Sequence, residues 1–330
     1  MRVAVYAIAK NEATNVERFM HSCRDADVVV VTDTGSDDGT PGLLQKLGAQ
    51  VHEVRIEPWR FDEARNAALD SVPEDVDVCI SIDLDESLQP GWRKALEEAW
   101  AKDAIHGSYW YVAEWADEEQ TIPTVTGWRT KVHRRHGFRW HRPVHEEVRP
   151  NGIRGRHVHL PGVVVHHHRQ TPTDYIALLD GIIAENPDEA TAYLQRGGDH
   201  LKLGNYGRAL ADYETYLTLE TGNDPLMAHR RALTRIAMAQ ALHKDKREAG
   251  TVLQQLLAAV AENPDCREAW VYLADAWAGL GNWPAAYGAA MTALNIMERG
   301  PGACEEICWG DVPKQIASAA FSRIMNRGGN

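Results

Sequence analysis

The chain has 330 residues, a length that accommodates two domains with a hydrophobic core each. Its 35 basic and 47 acidic residues give a formal net charge of -12, which argues against a general nucleic-acid-binding protein but allows a local basic surface. Because no apolar run approaches the roughly 20 residues that span a bilayer, and five scattered cysteines suggest no disulfide framework, we expect a cytoplasmic protein.

Strands and helices alternate through residue 102, which is the pattern of a parallel sheet covered by helices. The predicted strands are residues 3–9, 28–32, 51–56 and 76–82, and the predicted helices are a segment ending near Arg24, one ending near Gly48, and residues 61–69 and 92–102. Asn11 is placed to cap the first helix. The valine run 28–32 predicts a strand covered on both faces. Three later segments are predicted to form the mixed part of the sheet, residues 108–113, 121–134 and 157–165.

Polar residues follow the predicted strands. The loop 33–41 combines acids, hydroxyls and two glycines, and its simplest interpretation is a strand-to-helix turn with Asx and glycine chemistry. The fourth strand ends in Asp83, Asp85 and Glu86, which we expect at its C-terminal end because a strand interior cannot hold adjacent unpaired anions. Open α/β sheets bind ligands at that edge. Two carboxylates one residue apart suit a divalent cation that holds a phosphate, and the alternative is a solvated strand end.

From residue 173 onward the sequence becomes rich in alanine and leucine and contains a repeat. Three dipeptides lie 38 and 39 residues apart, Asn186-Pro187, Asp224-Pro225 and Asn263-Pro264. The turn Leu203-Gly204-Asn205-Tyr206 returns as Leu280-Gly281-Asn282-Trp283, whereas the middle unit has His243-Lys244-Asp245-Lys246 and is degenerate. This pattern resembles the tetratricopeptide repeat, and a last helix is predicted near residues 312–325. We therefore expect an α/β domain over residues 1–170 and an all-α repeat domain over residues 171–330.

Four blocks of polar residues occur in order in the first domain. They are Ala7-Ile8-Ala9-Lys10-Asn11-Glu12, Asp33-Thr34-Gly35-Ser36-Asp37-Asp38-Gly39-Thr40, Trp59-Arg60-Phe61-Asp62-Glu63-Ala64-Arg65-Asn66 and Asp83-Leu84-Asp85-Glu86. Together they resemble the family 2 glycosyltransferases of the GT-A fold. A helical repeat domain behind such a domain is similar to bacterial enzymes that glycosylate peptides, including the S-glycosyltransferases of bacteriocin peptides. The resemblance implies a Rossmann-like, mostly parallel mixed sheet and inverting transfer of a hexose from a nucleotide sugar, with UDP the expected nucleotide.

The resemblance also implies roles for residues at the strand ends. Glu12 and Asp33 would hold the nucleoside, Arg65 would approach the diphosphate, Asp83 the ribose or donor sugar, and Asp85 the metal ion. A pyrophosphate needs cations opposite it, and Mn²⁺ or Mg²⁺ on Asp85 together with Arg65 would offset its charge as it leaves. For Arg65 the alternative is an ion pair with Asp62 on the helix surface.

The segment 128–169 is strongly basic, with nine histidines, nine arginines and one lysine against two glutamates, so we expect something anionic beside it. Within it, the block from Arg142 to Glu147 resembles the Val-His-Glu block of related transferases. Glu146 is then the predicted general base for an acceptor hydroxyl or thiol, and His145 would orient it or contact phosphate. Glu147 and Asp117 are the reserve candidates for the base. The alternative for both glutamates is an ion pair with neighbouring arginines.

Three consecutive histidines, His166-His167-His168, end the last predicted strand. Successive side chains on a strand point to opposite faces, so at most two of the three address one site. In some GT-A enzymes a late histidine completes the metal sphere, and by that resemblance His166 or His168 would do so here; a solvated linker is the equal alternative. Imidazole beside carboxylate would favour Mn²⁺ slightly over Mg²⁺.

The acceptor is the least determined part of this interpretation. A concave helical groove favours an extended peptide and hence a polypeptide side chain. The basic segment keeps a nucleic-acid base or an anionic glycan open as acceptors. Two further alternatives are a scaffold that works through its repeats without catalysis and a nucleotidyltransferase, which also uses a metal at strand ends.

Overall fold

The computed structural model describes residues 1–115, 117, 122–144, 146–168, 175–222, 224–300 and 304–327. The chain divides into two compact units, Met1–Pro172 (unit 1) and Thr173–Asn330 (unit 2). Unit 1 combines a mixed β-sheet with helices, and unit 2 is almost entirely helical. The expected fold class, an α/β domain followed by a helical repeat domain, is therefore confirmed.

Unit 1 begins with the predicted alternation of strands and helices. Its first elements are β1 (Val3–Ala9), α1 (Val16–Ser22), β2 (Val28–Asp33), α2 (Thr40–Lys46), β3 (Gln50–Glu53), α3 (Phe61–Asp70), β4 (Val78–Ser81), β5 (Glu86–Leu88) and α4 (Trp92–Ala99). Its later elements are β6 (Ala104–Trp115), β7 (Pro123–Arg134), β8 (Phe138–His141), β9 (Glu147–Pro150) and β10 (Arg156–His167). The long elements agree with the predictions in type and order, whereas the short strands β5, β8 and β9 were not predicted.

Eight of the described strands of unit 1 form one sheet in the order β3-β2-β1-β4-β7-β6-β10-β5, and β8 pairs with β9 separately. The strands β1 to β4 are mutually parallel. Strand β7 runs antiparallel to both β4 and β6, and β10 runs parallel to β6. As a result β1, β2, β4, β6 and β10 all end at one edge of the sheet, which we call the C-terminal edge.

The sheet has an apolar layer on each face. One layer packs α1, α2 and α4 against the strands, and the other packs α3 and the β8–β9 hairpin against them. Within β2, Val29 and Val31 belong to the first layer and Val28 and Val30 to the second, as the pleat of a strand requires. The prediction that this valine run is covered on both faces is confirmed.

Asn11 does not cap α1, contrary to the prediction. The helix begins at Val16, and the backbone of Asn11 has a φ of 58°, in the left-handed region that asparagine tolerates better than most residues. Its Oδ1 accepts a hydrogen bond from the Asp37 N–H (2.9 Å), and its own N–H donates to Ser36 Oγ (2.8 Å). Asn11 therefore ties the loop after β1 to the loop after β2.

Unit 2 contains three helix pairs that correspond to the repeats. Its elements are α5 (Ile176–Glu185), α6 (Ala190–Lys202), α7 (Tyr206–Leu219), α8 (Pro225–Lys244), α9 (Ala249–Glu262), α10 (Arg267–Gly279), α11 (Trp283–Asn295), β11 (Cys304–Glu305), α12 (Glu306–Trp309) and α13 (Val312–Arg327). The pairs are α6 with α7, α8 with α9 and α10 with α11, and small buried residues such as Ala209, Ala269 and Ala286 let the helices approach closely. Within the described part of the chain, no helix has the length and apolar character to cross a bilayer.

All three helix pairs have the same turn between their helices, although the middle one lacks the glycine. The second residue after the first helix has a left-handed backbone in each case, with φ of 78° at Gly204, 57° at Lys246 and 72° at Gly281. The next residue donates its N–H back across the last helical turn in each pair, from Asn205 to His200, from Arg247 to Leu242 and from Asn282 to Trp277. The middle unit is therefore degenerate in sequence but not in geometry.

Candidate active site

The three carboxylates after β4 lie at the C-terminal edge of the sheet, as expected. Asp83 and Asp85 lie in the loop between β4 and β5, and Glu86 is the first residue of β5. Asp85 and Glu86 are buried, with exposures of 7% and 3%, while the Asp83 side chain is 32% exposed. The solvated strand end considered from the sequence therefore does not describe this loop.

Arg65 on α3 lies between two carboxylates that are far apart in sequence. Its side chain is only 4% exposed, its Nη2 donates to Asp83 Oδ1 at 2.8 Å, and its Nε donates to Glu146 Oε1 in a close ion pair. Its Nη1 lies 3.4 Å from Ser81 Oγ, at the end of β4. The guanidinium carbon is 5.0 Å from the ring centre of Trp140, which supports the cation from one side.

The surface ion pair proposed as an alternative for Arg65 is not formed. Asp62 instead pairs with Arg60, whose Nη2 lies 2.8 Å from Asp62 Oδ2. Residues 62 and 65 are neighbours on the surface of α3, but the side chain of residue 65 points toward the sheet. Two carboxylates at the edge of the sheet pair with it there. Arg65 is consequently part of the cluster at the C-terminal edge.

The ionisation of Glu146 follows from its neighbours. Burial alone would raise its pKa, but the positive charges of Arg65 and Lys131 outweigh burial and hold the pKa of Glu146 below its usual value. For Arg65 burial acts to lower the pKa, and Asp83 and Glu146 more than offset it, so that the pKa is raised. Glu146 is therefore an anion near neutral pH, as a general base must be, with one oxygen held by Arg65.

Glu86 closes the turn that carries Asp83. Its Oε2 accepts a hydrogen bond from the backbone N–H of Asp83 at 2.9 Å. Burial raises the pKa of Glu86, the charges of Asp83 and Asp85 act in the same direction, and Lys131 acts against them. Glu86 therefore fixes the backbone of the loop, while Asp83 and Asp85 present their carboxylates to the edge.

The histidine beside Asp85 is the middle one of the three. His167 Nε2 lies 3.4 Å from Asp85 Oδ2, and His167 Nδ1 donates to the carbonyl of Ala113 at 3.0 Å. His168 donates its backbone N–H to the carbonyl of Asp85 (2.8 Å) and has its Nε2 2.6 Å from Ser87 Oγ. The ring of His166 meets the indole of Trp115, with centres 5.2 Å apart. The metal roles of His166 and His168 remain predictions, and the sequence analysis did not choose His167.

The residues around Asp85 fit a divalent ion only in part. Among the described residues there is no group of three or more His, Cys, Asp or Glu side chains arranged to hold a metal. Asp85 and His167 offer one carboxylate oxygen and one imidazole nitrogen, a donor pair that suits Mn²⁺. An ion held here would need oxygens from a bound phosphate to complete its coordination.

The two predicted nucleoside-binding residues are engaged with their own loops. Glu12 Oε2 accepts from Asn15 Nδ2 at 2.7 Å. Asp33 is buried, its Oδ1 accepts the N–H groups of Gly35 and Ser36 at 2.9 Å each, and its Oδ2 accepts from Ser36 Oγ at 2.5 Å. The loop after β2 thus has the Asx and glycine turn that was its simplest interpretation, and binding of a nucleoside by Glu12 or Asp33 stays a prediction.

The other candidates for the general base lie in different surroundings. His145 falls outside the described residues. Glu147 pairs with Arg142 (3.0 Å) and Arg149 (2.7 Å), which is the ion pair expected as the alternative for this residue. Asp117 Oδ1 accepts the N–H of Ile122 at 2.8 Å. Of these carboxylates, Glu146 is the one that meets Arg65 and the edge of the sheet.

Many arginines of the basic segment bind groups inside unit 1. Two donate to backbone carbonyls in or near the segments that follow α3 and α4, namely Arg134 to Ala104 and Lys102, and Arg135 to Val72 and Asp70. Others form ion pairs with acidic side chains, namely Arg139 with Asp70, Arg156 with Asp103, and Arg142 and Arg149 with Glu147. Part of the excess positive charge of this segment is therefore engaged in hydrogen bonds and ion pairs within unit 1.

Trp140, whose ring lies against the Arg65 guanidinium, is held in place by a series of buried hydrogen bonds. Trp140 Nε1 donates to the Tyr6 hydroxyl at 2.7 Å, and the hydroxyl lies 2.8 Å from His133 Nε2. His133 Nδ1 lies 2.7 Å from the carbonyl of Arg134, so Nδ1 carries the hydrogen and Nε2 accepts from Tyr6. Burial lowers the pKa of His133 to about 4, so this hydrogen-bonded series is neutral. No pattern in the sequence assigned a role to Tyr6 or His133.

Among solved structures, the similarities are weak. YrrB, described as a TPR protein with an unusual peptide-binding site, matches 46% of this chain and 69% of its own length at 18% identity and a TM-score of 0.35. TarS of S. aureus matches 80% of this chain and 54% of its own length at 12% identity and a TM-score of 0.37. At TM-scores this low, neither similarity supports a conclusion about this chain.

The sequence relatives are glycosyltransferases. An uncharacterized glycosyltransferase of Rickettsia conorii (strain ATCC VR-613 / Malish 7) is 32% identical over 101 residues, which are 30% of this chain and 34% of the relative. The lipopolysaccharide core biosynthesis glycosyltransferase LpsC of Rhizobium meliloti (strain 1021) is 31% identical over 115 residues, 34% of this chain and 41% of the relative. This chain thus spans well under half the length of these relatives. Residues 5–159 match the family model Glycosyl transferase family 2, so unit 1 contains a glycosyltransferase family 2 domain.

Proposed function

We propose that the chain is a metal-dependent, inverting glycosyltransferase that moves a hexose from a UDP-linked sugar to a polypeptide side chain. The observation that carries the proposal is the position of Arg65 between Asp83 and Glu146, at the edge of a family 2 domain where its strands end. A buried arginine at that edge is a cation with which a diphosphate pairs in exchange for one of the carboxylates. Five free, buried cysteines support a cytoplasmic location as part of the same proposal.

On the donor side, Arg65 faces the diphosphate and Asp83 accepts hydrogen bonds from hydroxyl groups of the ribose or the sugar. A divalent ion on Asp85, with one of the neighbouring histidines, would offset the negative charge that develops on the diphosphate. Arg65 is held at this edge by Ser81 and Trp140, and binding of the diphosphate competes with its ion pairs to Asp83 and Glu146.

On the acceptor side, Glu146 takes the proton from the attacking hydroxyl or thiol. The acceptor atom then forms its bond to the anomeric carbon while the bond from that carbon to the phosphate oxygen breaks, and the nucleoside diphosphate leaves with the electron pair. Attack from the face opposite the leaving group inverts the anomeric centre, which is the outcome that family 2 resemblance implies. Because Arg65 donates to Glu146 Oε1, either Arg65 releases this oxygen before the proton transfer or Glu146 Oε2 accepts the proton.

The polypeptide acceptor is supported by unit 2, because stacked helix pairs present an extended surface to peptides. A glycan acceptor is the second candidate, and the relative named as a lipopolysaccharide core biosynthesis glycosyltransferase favours it. A nucleic-acid base is supported less, since many cations of the basic segment already bind carbonyls and carboxylates of unit 1.

The proposal is tested by incubating the full chain with UDP-glucose, UDP-GlcNAc or UDP-galactose in Mn²⁺, Mg²⁺ or EDTA and measuring free UDP. Intact-mass analysis of peptides and of purified glycans then identifies the acceptor. We expect metal-dependent UDP release with at least one donor. If the folded protein neither binds nor hydrolyses any nucleotide sugar, the transferase proposal is wrong; release of pyrophosphate instead of UDP would indicate a nucleotidyltransferase, and peptide binding without turnover a scaffold.

A further inference from the structure

Lys131 reaches the candidate active site from an irregular point in strand β7. One residue of β6, Ser108, lies opposite two residues of β7, Thr130 and Lys131, so the strand has a bulge there. The hydroxyl groups of Ser108 and Thr130 lie 2.7 Å apart across the bulge. Bulges re-aim side chains and are frequent beside active sites, and this one directs Lys131 toward the loop that carries Asp83.

Lys131 and Arg65 hold different oxygens of the same carboxylate. Lys131 Nζ lies 3.6 Å from Asp83 Oδ2, whereas Arg65 Nη2 lies 2.8 Å from Asp83 Oδ1. The Lys131 side chain is 18% exposed, so its charge is only partly screened by water. The same charge favours the ionised forms of Glu86 and Glu146, so Lys131 stabilises three carboxylates electrostatically.

A donor that binds Arg65 draws on the same positive charge that stabilises this cluster. The Nη2, Nε and Nη1 atoms of Arg65 are directed at Asp83, Glu146 and Ser81 respectively. A diphosphate that draws on Arg65 competes with those partners, and Asp83 would then lose its closest cation. A second cation on the other oxygen of Asp83 removes this conflict.

We propose that Lys131 is a positioning residue of this site, which holds the Asp83 carboxylate from the side opposite Arg65 so that Arg65 can engage the donor without releasing Asp83. The inference rests on the proposed function, which supplies the anionic donor. It adds a residue to which neither the sequence analysis nor the family comparison gave a role.

The same charge acts on Glu146. The charges of Arg65 on α3, Lys131 on β7 and Asp83 in the loop after β4 all act on Glu146. Arg65 and Lys131 favour the ionised form and Asp83 disfavours it. When Arg65 engages the donor, Lys131 continues to favour the ionised form of Glu146.

The test compares Lys131→Met, Lys131→Gln and Lys131→Arg in the full chain, with Lys94→Met as the matched control. Lys94 lies on α4 with its side chain 84% exposed, so it undergoes the same chemical change away from the site. Glutamate carboxyl carbons are followed by ¹³C NMR against pH in protein without donor, and the resonance of Glu146 is assigned from its loss in Glu146→Gln.

Loss of the Lys131 charge is expected to raise the pKa of Glu146, whereas Lys131→Arg and Lys94→Met leave it in place. In the active enzyme the acid limb of kcat/KM should move upward by the same amount. At pH 7, where Glu146 stays ionised, kcat should be about tenfold lower because Asp83 has lost its second cation. An unchanged Glu146 titration and acid limb in both Lys131→Met and Lys131→Gln would overturn the inference. If the wild-type chain releases no nucleoside diphosphate, the proposed function fails, and the NMR titration still decides whether Lys131 acts on Glu146.

Discussion

Arg65 and Glu146 are 81 residues apart in the chain and form a buried ion pair through Arg65 Nε and Glu146 Oε1. Both side chains are nearly inaccessible, with exposures of 4% and 9%. Removing one partner leaves the other charge buried without compensation, which costs far more than the pair contributes. The pair therefore links the stability of unit 1 to the residues proposed for catalysis.

The first prediction is that Arg65→Met lowers the free energy of unfolding by about 3 kcal/mol, because Asp83 and Glu146 lose their shared cation. Adding Glu146→Gln to this variant should recover part of the loss. Urea unfolding followed by tryptophan fluorescence measures both effects. The control is Arg156→Met, whose side chain is 56% exposed and pairs with Asp103, itself 70% exposed, and which should change the unfolding free energy little. Equal losses in the two variants would show that the Arg65 cluster is not specially dependent on its cation.

The second prediction separates two adjacent glutamates. Glu146→Gln should lower turnover about 100-fold or more while donor binding is kept, because the amide cannot accept the acceptor's proton. Glu147→Gln makes the same chemical change at a residue that pairs with Arg142 and Arg149, and should leave turnover close to wild type. Nucleoside diphosphate release measures turnover, and isothermal titration calorimetry measures donor binding. Normal turnover in Glu146→Gln would show that the base is another group.

The third prediction concerns the histidines near Asp85. Asp85→Asn should abolish metal-dependent turnover, and His167→Ala should raise the Mn²⁺ concentration for half-maximal activity about tenfold, because its imidazole is next to the Asp85 carboxylate. His166→Ala should have a smaller effect, since its ring packs on Trp115. The measurement is the rate of UDP release against Mn²⁺ concentration. A larger effect in His166→Ala or His168→Ala would favour the assignment made from the sequence.

The fourth prediction is a loss of stability in acid that depends on His133. Burial lowers the pKa of His133 to about 4 in the folded chain, while an unfolded histidine titrates near 6.5. Between these values the unfolded chain binds a proton that the folded chain does not, so the free energy of unfolding falls as the pH falls from about 6.5 to about 4, by roughly 3 kcal/mol in total from this residue. Above pH 6.5 the contribution is fully present.

Urea unfolding at a series of pH values tests this dependence. His133→Gln should make the decrease between pH 6.5 and 4 less steep, even though the variant is less stable throughout because the hydrogen bond from Tyr6 is altered. Some dependence will remain, since burial also lowers the pKa values of His157 and His168 to about 4. The control His136→Gln changes an exposed histidine and should keep the full slope. An equal slope in His133→Gln and wild type contradicts the prediction.

The sequence predicted those parts of the fold that local patterns determine. The long strands, the two-sided valine run of β2 and the carboxylates after β4 all follow from hydrophobic periodicity and the cost of burying charge. The strands β5, β8 and β9 escaped prediction because three or four residues are too few to show a period. Asn11 was misassigned because its partners lie in another loop.

The candidate site was predictable in its residue types more than in its contacts. No local pattern could reveal that Arg65 turns toward Glu146, because that choice depends on which carboxylates the sheet edge places beside α3. The sequence could not indicate that Lys131 points to the site, because the bulge in β7 alters the alternation of side chains along the strand. The sequence also could not indicate which of the three histidines lies beside Asp85, since the register of β10 shifts between Leu160 and Val164, just before them.

The last prediction concerns Lys246, which has a left-handed backbone where the other two helix pairs have glycine. A side chain at such a position costs about 1 kcal/mol relative to glycine, and the exposed Lys246 side chain contributes no buried contact in return. Lys246→Gly should therefore raise the free energy of unfolding by about 1 kcal/mol. Gly281→Ala provides the reverse change, because a β-carbon there meets no atom within 4 Å and only the φ of 72° opposes it. Urea unfolding followed by circular dichroism should show changes in the free energy of unfolding that are opposite in sign and similar in size for the two variants. A lower free energy of unfolding in Lys246→Gly would mean that the lysine makes a favourable interaction in this turn.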